Sequence, residues 1–201
     1  MDKTHKVDKA IELIARISID RASQSFSKII KSGAKIELES IFYSDVTALT
    51  EEAISLKDEE VIGAFVNLAG DAPFRFLFYV PVPASFLLAD LILKNEPGTT
   101  KELDEYAKSA VQELGNILAS SISNTFAKDF DIKLKVTPPV LVTDLASILL
   151  QEYIINAASG KDRVLVIKSA FKVIKFGLET QMYIVPTAES ERILSYLENF
   201  L

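Results

Sequence analysis

The second half of this sequence repeats the pattern of its first half about 100 residues later. At that displacement, four apolar positions of the long N-terminal segment coincide with four apolar positions further along: Ala10, Ile11, Ile14 and Ile17 with Ala110, Val111, Leu114 and Ile117. The tetrapeptide SQSF (23–26) coincides with SNTF (123–126), and FYVPVPAS (78–85) coincides with YIVPTAES (183–190) at a displacement of 105. A fixed period of this kind indicates that one structural unit is used twice.

The hydrophobic periodicity of each half predicts the same order of elements: a long helix, a strand, a short intervening segment, two strands and a closing helix. The strands are predicted at 36–44, 61–69, 74–80, 132–142, 164–174 and 178–185, and the closing helices at 84–94 and 188–200. The short separations GDAP and KFG favour antiparallel hairpins. We therefore predict an α+β fold and a single domain over residues 1–201, with pseudo-symmetric halves 1–95 and 99–201 joined at 95–100.

The second long helix has a predicted start at a strong sequence signal. Pro97-Gly98 interrupts regular structure, and Thr99 with Glu102 matches the T-x-x-E capping box that begins many helices. Apolar residues then recur with helical spacing, and the helix is expected to end at about Lys128. The residues of this apolar face are Leu103, Tyr106, Ala107, Ala110, Val111, Leu114, Ile117 and Leu118.

Composition and charge narrow the classes of function. The net charge is −6 and no basic stripe is present, which argues against a nucleic-acid partner. The chain has no cysteine, so disulfides and thiolate metal sites are excluded, and His5 is its only histidine. The most apolar window, 74–94, contains Arg75 and two prolines, so it predicts strand, turn and helix rather than a membrane span. With no secretory signal at the N-terminus, we expect a cytoplasmic protein.

Three polar residues stand four and then three positions apart on the second long helix: Ser109, Glu113 and Asn116. At 100° per residue they lie within about 60° of one another, and the apolar face is centred roughly 120° away. The stripe is therefore predicted to face solvent. From this spacing alone, an ordinary exposed helix face is the simpler interpretation.

Two neighbouring features favour a functional interpretation. Gly115 costs about 1 kcal/mol relative to alanine in a helix interior, which suggests that another backbone or a partner passes close by. Pro138-Pro139 interrupts the predicted strand 132–142. Because proline supplies no donor to a sheet ladder, we expect this strand to bend or to lie at an edge there.

Together these features resemble the CheC/CheX/FliY phosphatases of bacterial and archaeal chemotaxis. The family's signature is Asp or Ser, three residues, Glu, two residues, Asn, twenty-two residues and Pro. Ser109, Glu113, Asn116 and Pro139 match it, and ELGNI (113–117) looks like the family's active helix. The resemblance covers essentially the whole chain, although only the second half carries the motif.

The resemblance implies a function and a role for each motif residue. The family hydrolyses the aspartyl phosphate of the response regulator CheY. Asn116 would orient the attacking water, and Glu113 would engage the regulator's active-site lysine. Ser109 would support the stripe, and Pro139 would shape the neighbouring strand. No cofactor of the chain's own is implied, because Mg²⁺ is expected on the regulator.

The first half lacks the complete motif in either of two registers. At a displacement of 100, the motif positions hold Lys9, Leu13, Arg16 and Glu39. A rival register places Asp8, Glu12 and Ala15 on the pattern. Since neither register contains the asparagine, we expect at most one site, as in a one-site CheC or CheX.

Other hypotheses remain open beside the phosphatase. The chain is alternatively a non-catalytic module that binds a response regulator or a flagellar-switch component, or an adaptor for the receptor deamidase CheD, which some CheC proteins bind. An unpaired edge of a pseudo-symmetric sheet would also be able to join two subunits into a homodimer.

Overall fold

The structure is a computed structural model that describes residues 3–30, 33–54, 59–187 and 189–190, with side chains from residue 11 onward. This part of the chain contains five α-helices: α1 (Lys3–Ile29), α2 (Val46–Ile54), α3 (Val82–Leu93), α4 (Glu105–Phe130) and α5 (Ala146–Ala158). It also contains seven strands: β1 (Ala34–Asp45), β2 (Glu60–Gly70), β3 (Phe74–Pro81), β4 (Leu134–Val136), β5 (Val140–Leu145), β6 (Arg163–Val173) and β7 (Leu178–Pro186). The α+β fold class is confirmed.

All seven strands form one antiparallel sheet in the order β1-β6-β7-β3-β2, with β4 and β5 both paired to β2 at the far edge. The strands of the two halves correspond in pairs: β1 with β4 and β5, β2 with β6, and β3 with β7. Exchanging each strand with its counterpart reverses the order of the sheet and leaves its arrangement unchanged. A pseudo-twofold axis therefore passes between β3 and β7. The hairpins β2–β3 and β6–β7 are those that the short turns predict, and each edge strand pairs with the opposite half.

Helices cover both faces of the sheet. On one face α1, α3 and α4 enclose a core that includes Phe26, Phe78 and Phe126. On the other face α2 and α5 enclose a second core around Leu149 and Tyr153. The central strand β3 is almost continuously apolar because its residues are buried on both faces.

The repeated tetrapeptides 23–26 and 123–126 join each long helix to the strand that follows it. The Ser23 hydroxyl accepts a hydrogen bond from the backbone N–H of Ile36 at 2.9 Å. The Ser123 hydroxyl donates to the carbonyl of Leu134 at 2.7 Å. The phenylalanine that closes each tetrapeptide is buried in the core. The repeated tetrapeptides therefore have a packing role in both halves.

The predicted capping box at Thr99 and Glu102 is wrong. Helix α4 begins at Glu105, and its N-cap is Asp104, whose carboxylate accepts the backbone N–H of Ala107 at 2.7 Å. The backbone N–H of Thr99 donates instead to the buried carboxylate of Asp90 at 3.0 Å. Thr99, which the local sequence predicted as the helix N-cap, is thus engaged by Asp90 instead.

Several boundaries also differ from the sequence prediction. The short intervening segments are the helices α2 and α5, and the predicted strand 132–142 is divided into β4 and β5. Tyr106, assigned to the apolar face, is 72% exposed. The predicted closing helix 188–200 lies outside the described residues, apart from 189–190.

Candidate functional site

The polar stripe lies on α4 and faces away from the sheet. Ser109 and Glu113 are exposed, and Asn116 is half-buried. On the opposite side of the helix, Val111 and Leu114 are fully buried in the core. The predicted solvent-facing position therefore holds for Ser109 and Glu113, whereas Asn116 lies at the border between solvent and the packed interior.

The side chains of Glu113 and Asn116 make no hydrogen bond or ion pair with any other residue that the structure describes. About two turns earlier on the helix, Lys108 and Glu105 are joined by an ion pair of 2.8 Å. The carboxylate and the carboxamide stand about 4.5 Å apart along the helix axis. Both can therefore interact with a partner without first breaking a contact in this part of the chain.

Gly115 lies where α4 crosses β2. A Cβ atom added at Gly115 would stand 2.8 Å from the Cβ of Ala64, closer than packed carbon atoms approach. The same atom would stand 3.8 Å from the Cβ of Pro139. The close approach inferred from this glycine is thus internal to the chain, and no partner is needed to explain it.

Gln112 is a part of the site that sequence reasoning missed. Its side-chain amide donates to the backbone carbonyl of Pro139 at 3.1 Å. Gln112 and Gly115 directly precede Glu113 and Asn116, so the contacts with Pro139 determine how the helix is rotated. The spacing pattern contains no signal for this bond, because it joins residues 27 positions apart.

The segment 137–139 interrupts the edge strand at the point where it faces α4. Here the backbone N–H of Thr137 donates to the carbonyl of Asn67 at 2.9 Å, and the Thr137 hydroxyl accepts the N–H of Asn67 at 3.1 Å. These bonds hold the interruption in place beside β2. Pro139 is buried while Pro138 is exposed, and the expected position at a sheet edge is confirmed.

The four motif residues therefore occupy two layers. Ser109, Glu113 and Asn116 share the outer side of α4, and Pro139 lies behind the helix against Gly115. In this arrangement Pro139 supports the helix backbone and does not form part of the exposed stripe.

Burial decides between the two registers proposed for the first half. The buried positions of α1 recur in α4 at a displacement of 100: 11, 14, 15, 18, 19, 22 and 26 against 111, 114, 115, 118, 119, 122 and 126. Arg16 therefore stands at the position of Asn116, and Leu13 at that of Glu113. The rival register, which would place Ala15 at the asparagine position, is wrong because Ala15 is buried.

The first-half counterpart of the site is a groove of about 260 Å³ between α1 and β1. Arg16 and Glu12 form an ion pair of 2.6 Å on its helix side. On its strand side Glu39 lies at a bulge in the pairing of β1 with β6, at the position equivalent to Pro139. The side chains of Asp8 and Lys9 lie outside the described residues. The groove presents a paired cation and anion in place of a free carboxamide.

The described residues contain neither a cluster of metal ligands nor a membrane-spanning helix. No three side chains of His, Cys, Asp or Glu come together there as a set of metal ligands. In the same part of the chain, every helix is too short or too polar to cross a lipid bilayer.

The geometry of this site lies within a segment that matches a known family. A sequence model of the CheC-like family matches residues 107–143, which include Ser109, Glu113, Asn116 and Pro139.

Solved structures share the whole fold. FliY of Thermotoga maritima matches with a TM-score of 0.73 at 17% identity, covering 98% of this chain and 96% of FliY. A chain of the FliG–FliM complex of H. pylori matches with a TM-score of 0.61 at 10% identity, covering 94% of this chain and 97% of that one. A CheX chemotaxis protein of Desulfovibrio desulfuricans matches with a TM-score of 0.57 at 12% identity, covering 86% and 98%. The family-model match confirms the resemblance to the CheC/CheX/FliY family, and the solved structures confirm the CheC-like fold.

Proposed function

We propose that this chain, which has the CheC-like fold of the CheC/CheX/FliY family, hydrolyses the aspartyl phosphate of a CheY-type response regulator in chemotaxis signalling. The observation that carries the proposal is the pair Glu113 and Asn116. Both side chains are unengaged within the described residues, stand one turn apart on a helix backed by Pro139, and fall inside the matched segment.

Asn116 orients the attacking water. A carboxamide can both donate a hydrogen bond to a water molecule and accept one from it, so it can fix the water's direction without changing its own charge. Positioning is the main requirement in phosphoryl transfer, since little covalent chemistry is left for the protein to perform. The half-buried position of Asn116 restricts its side chain, which reduces the entropy lost when the water is bound.

Glu113 engages the regulator's active-site lysine. The exposed carboxylate extends from a rigid helix and can reach into a cleft of another protein. A charge-assisted hydrogen bond to an ammonium group is about twice as strong as a neutral one. The contact would hold Asn116 against the phosphoryl group, and Mg²⁺ on the regulator would neutralise the phosphate charge. The chain itself supplies no metal in this proposal.

A second candidate function is a binding module without catalysis. A chain of the same fold occurs in a complex of FliG and FliM. The present chain would then dock on a response regulator, a flagellar-switch protein or CheD, and Glu113 and Asn116 would only be surface contacts. The free carboxamide favours the phosphatase, because a docking surface has no need for a group that orients water.

The decay of a phosphorylated CheY-type regulator, measured with and without the chain, tests the proposal. We expect faster decay with the wild type. Asn116→Ala should reduce the rate by about 10²–10³ with binding unchanged, the usual loss for one positioned polar group. Glu113→Ala should reduce both the rate and the affinity.

Asn156→Ala is the matched control, because Asn156 is an exposed asparagine on α5, on the opposite face of the sheet from α4. An Asn116→Ala variant that works as well as the wild type would overturn the site assignment. A wild type that binds the regulator but leaves its decay unchanged would establish the binding module instead.

A further inference from the structure

The stripe on α4 extends beyond the motif to an exposed aromatic ring. Tyr106 is 72% exposed, the highest value among the large hydrophobic side chains that the structure describes as exposed. It precedes Glu113 by seven residues, so the two side chains point within about 20° of one direction, about 10 Å apart along the helix. Tyr106, Ser109 and Glu113 therefore form one continuous edge of the molecule.

A partner that docks centrally on the Glu113–Asn116 pair with an interface of ordinary size also covers Tyr106. A stable protein–protein interface buries about 800 Å² on each partner, which corresponds to a disc of roughly 16 Å radius. Tyr106 lies about 15 Å from Asn116 along the helix. An interface centred on the Glu113–Asn116 pair thus includes the tyrosine ring. Tyrosine is among the residues most enriched at the hot spots of protein–protein interfaces.

The surface beside Tyr106 is a shallow, open depression with an ordered border. Tyr106 and the half-exposed Leu93 border a depression of about 670 Å³ whose polar side is the loop 99–104. The loop is held from below by the buried carboxylate of Asp90, which accepts the backbone N–H groups of Gly98 and Thr100 at 2.7 and 3.0 Å. A loop that is already ordered loses little entropy when a partner binds.

We propose that Tyr106, with Leu93 and the depression between them, is the docking surface for the same response regulator whose phosphoryl group Asn116 addresses. This inference rests on the proposed function for its partner. Tyr106 packs against an apolar patch of the regulator beside its phosphorylated carboxyl group, and the depression receives a projecting segment of that surface. Tyr106 thereby determines affinity and orientation, while Glu113 and Asn116 act on the reacting group.

The test compares Tyr106→Ala and Tyr106→Phe in two assays with a panel of CheY-type regulators. The first measures the decay of the phosphorylated regulator at several regulator concentrations. The second measures the Kd for each regulator held in its active form by beryllium fluoride and Mg²⁺. We expect Tyr106→Ala to raise both KM and Kd about tenfold with kcat unchanged, and Tyr106→Phe to retain near wild-type values, because the ring makes the contact.

Ile155→Ala is the matched control, since Ile155 is an apolar residue, 57% exposed, on α5 across the sheet. It should change neither KM nor Kd. Unchanged KM and Kd in Tyr106→Ala, with decay still accelerated, would overturn the docking surface and leave the phosphatase intact. A loss confined to kcat would also overturn it, because Tyr106 would then act on the chemical step.

The two proposals fail in distinguishable ways. A wild type that binds the beryllium-fluoride form without accelerating decay, and loses about tenfold in affinity through Tyr106→Ala, would keep the docking surface and overturn the phosphatase. A wild type that neither binds nor accelerates the decay of any regulator in the panel would overturn both.

Discussion

At the level of single residues, the orientation of Glu113 and Asn116 depends on the residues directly before them. Gln112 bonds to the carbonyl of Pro139, and Gly115 lets the helix approach that proline and Ala64. A rotation of the helix by one residue would turn the stripe by about 100°, away from a partner. The geometry of the site is therefore maintained by contacts on its buried side.

Asp90 is a second residue with a specific structural task. Its buried carboxylate accepts hydrogen bonds from three successive backbone N–H groups, those of residues 98–100, and from the Thr100 hydroxyl. Burial raises the pKa of Asp90, but the bonds from Thr100, Gly98 and Thr99 outweigh burial and hold this pKa below its ordinary value of 3.8. The ionised form is thus the form that folding stabilises.

We expect Asp90→Asn to lower the free energy of unfolding by about 3 kcal/mol at neutral pH, because an amide NH₂ would face backbone donors. Because the pKa is lower in the folded state, the carboxylate stabilises the wild type fully above pH 3.8, its ordinary pKa. This contribution is lost as the pH falls below that value. Urea unfolding of both proteins from pH 7 to about 3 measures the effect; a difference that does not shrink on acidification would contradict it.

At the level of the element, α4 is the helix whose packing the site depends on most. It crosses β2 at Ala64, where the missing side chain of Gly115 permits contact between helix and strand. Helix α1 carries Ala15 at the equivalent position. Gly115 lowers the intrinsic helix propensity of α4, but it allows the helix to approach the sheet closely.

Gly115→Ala should destabilise the protein by about 1 kcal/mol. Alanine gains about 1 kcal/mol in helix propensity, but a Cβ at 2.8 Å from Ala64 forces the backbones apart, which costs about 1–3 kcal/mol. Adding Ala64→Gly removes the opposing atom, so the double variant should be more stable than the sum of the two single changes predicts. Denaturant midpoints for the four proteins of this cycle provide the measurement. A Gly115→Ala protein that is more stable than the wild type would contradict the packing argument.

At the level of the whole molecule, the pseudo-twofold fold presents two equivalent helix faces of different chemistry. The face of α4 carries Glu113 and Asn116, and the face of α1 carries Leu13 and Arg16. Arg16 is engaged by Glu12, and an exposed pair of this kind contributes at most about 0.5 kcal/mol. The duplicated architecture thus provides a scaffold for two sites, of which the proposed function uses one.

We therefore expect one regulator to bind per chain. A titration against a regulator held in its phosphorylated form should saturate at a ratio of one, and Asn116→Ala should remove all of the accelerated decay. Arg16→Ala and Leu13→Ala should leave the rate unchanged, since both side chains are exposed on α1 and neither belongs to the stripe on α4. Residual activity near half that of the wild type in Asn116→Ala would show that α1 carries a second site.

The sequence alone determined the order of the long helices and of the hairpin strands, the existence of the repeat and the side of α4 that faces solvent. Each of these depends on local burial, and burial leaves a period of about 3.6 or 2 residues in the chain. The helices α2 and α5 were missed for the same reason: several of their exposed positions, such as Ile54, Ile148 and Ile155, are apolar and blur the period. The spacing of the motif was also recognisable from the sequence, as a resemblance to the CheC/CheX/FliY family. Its residues are Ser109, Glu113, Asn116 and Pro139.

Only the tertiary structure decided which groups meet. Thr99 bonds to Asp90 instead of capping α4, Gly115 makes room for Ala64, and Gln112 holds the carbonyl of Pro139. Tyr106, which the sequence assigned to the apolar face, is exposed, because Ala107 and Ala110 are the residues of this turn that pack against Ala89 of α3. These contacts join residues that are between 9 positions apart (Thr99 and Asp90) and 51 positions apart (Gly115 and Ala64). The periodicity of the sequence does not encode these contacts, because they form only when the helices pack against the sheet.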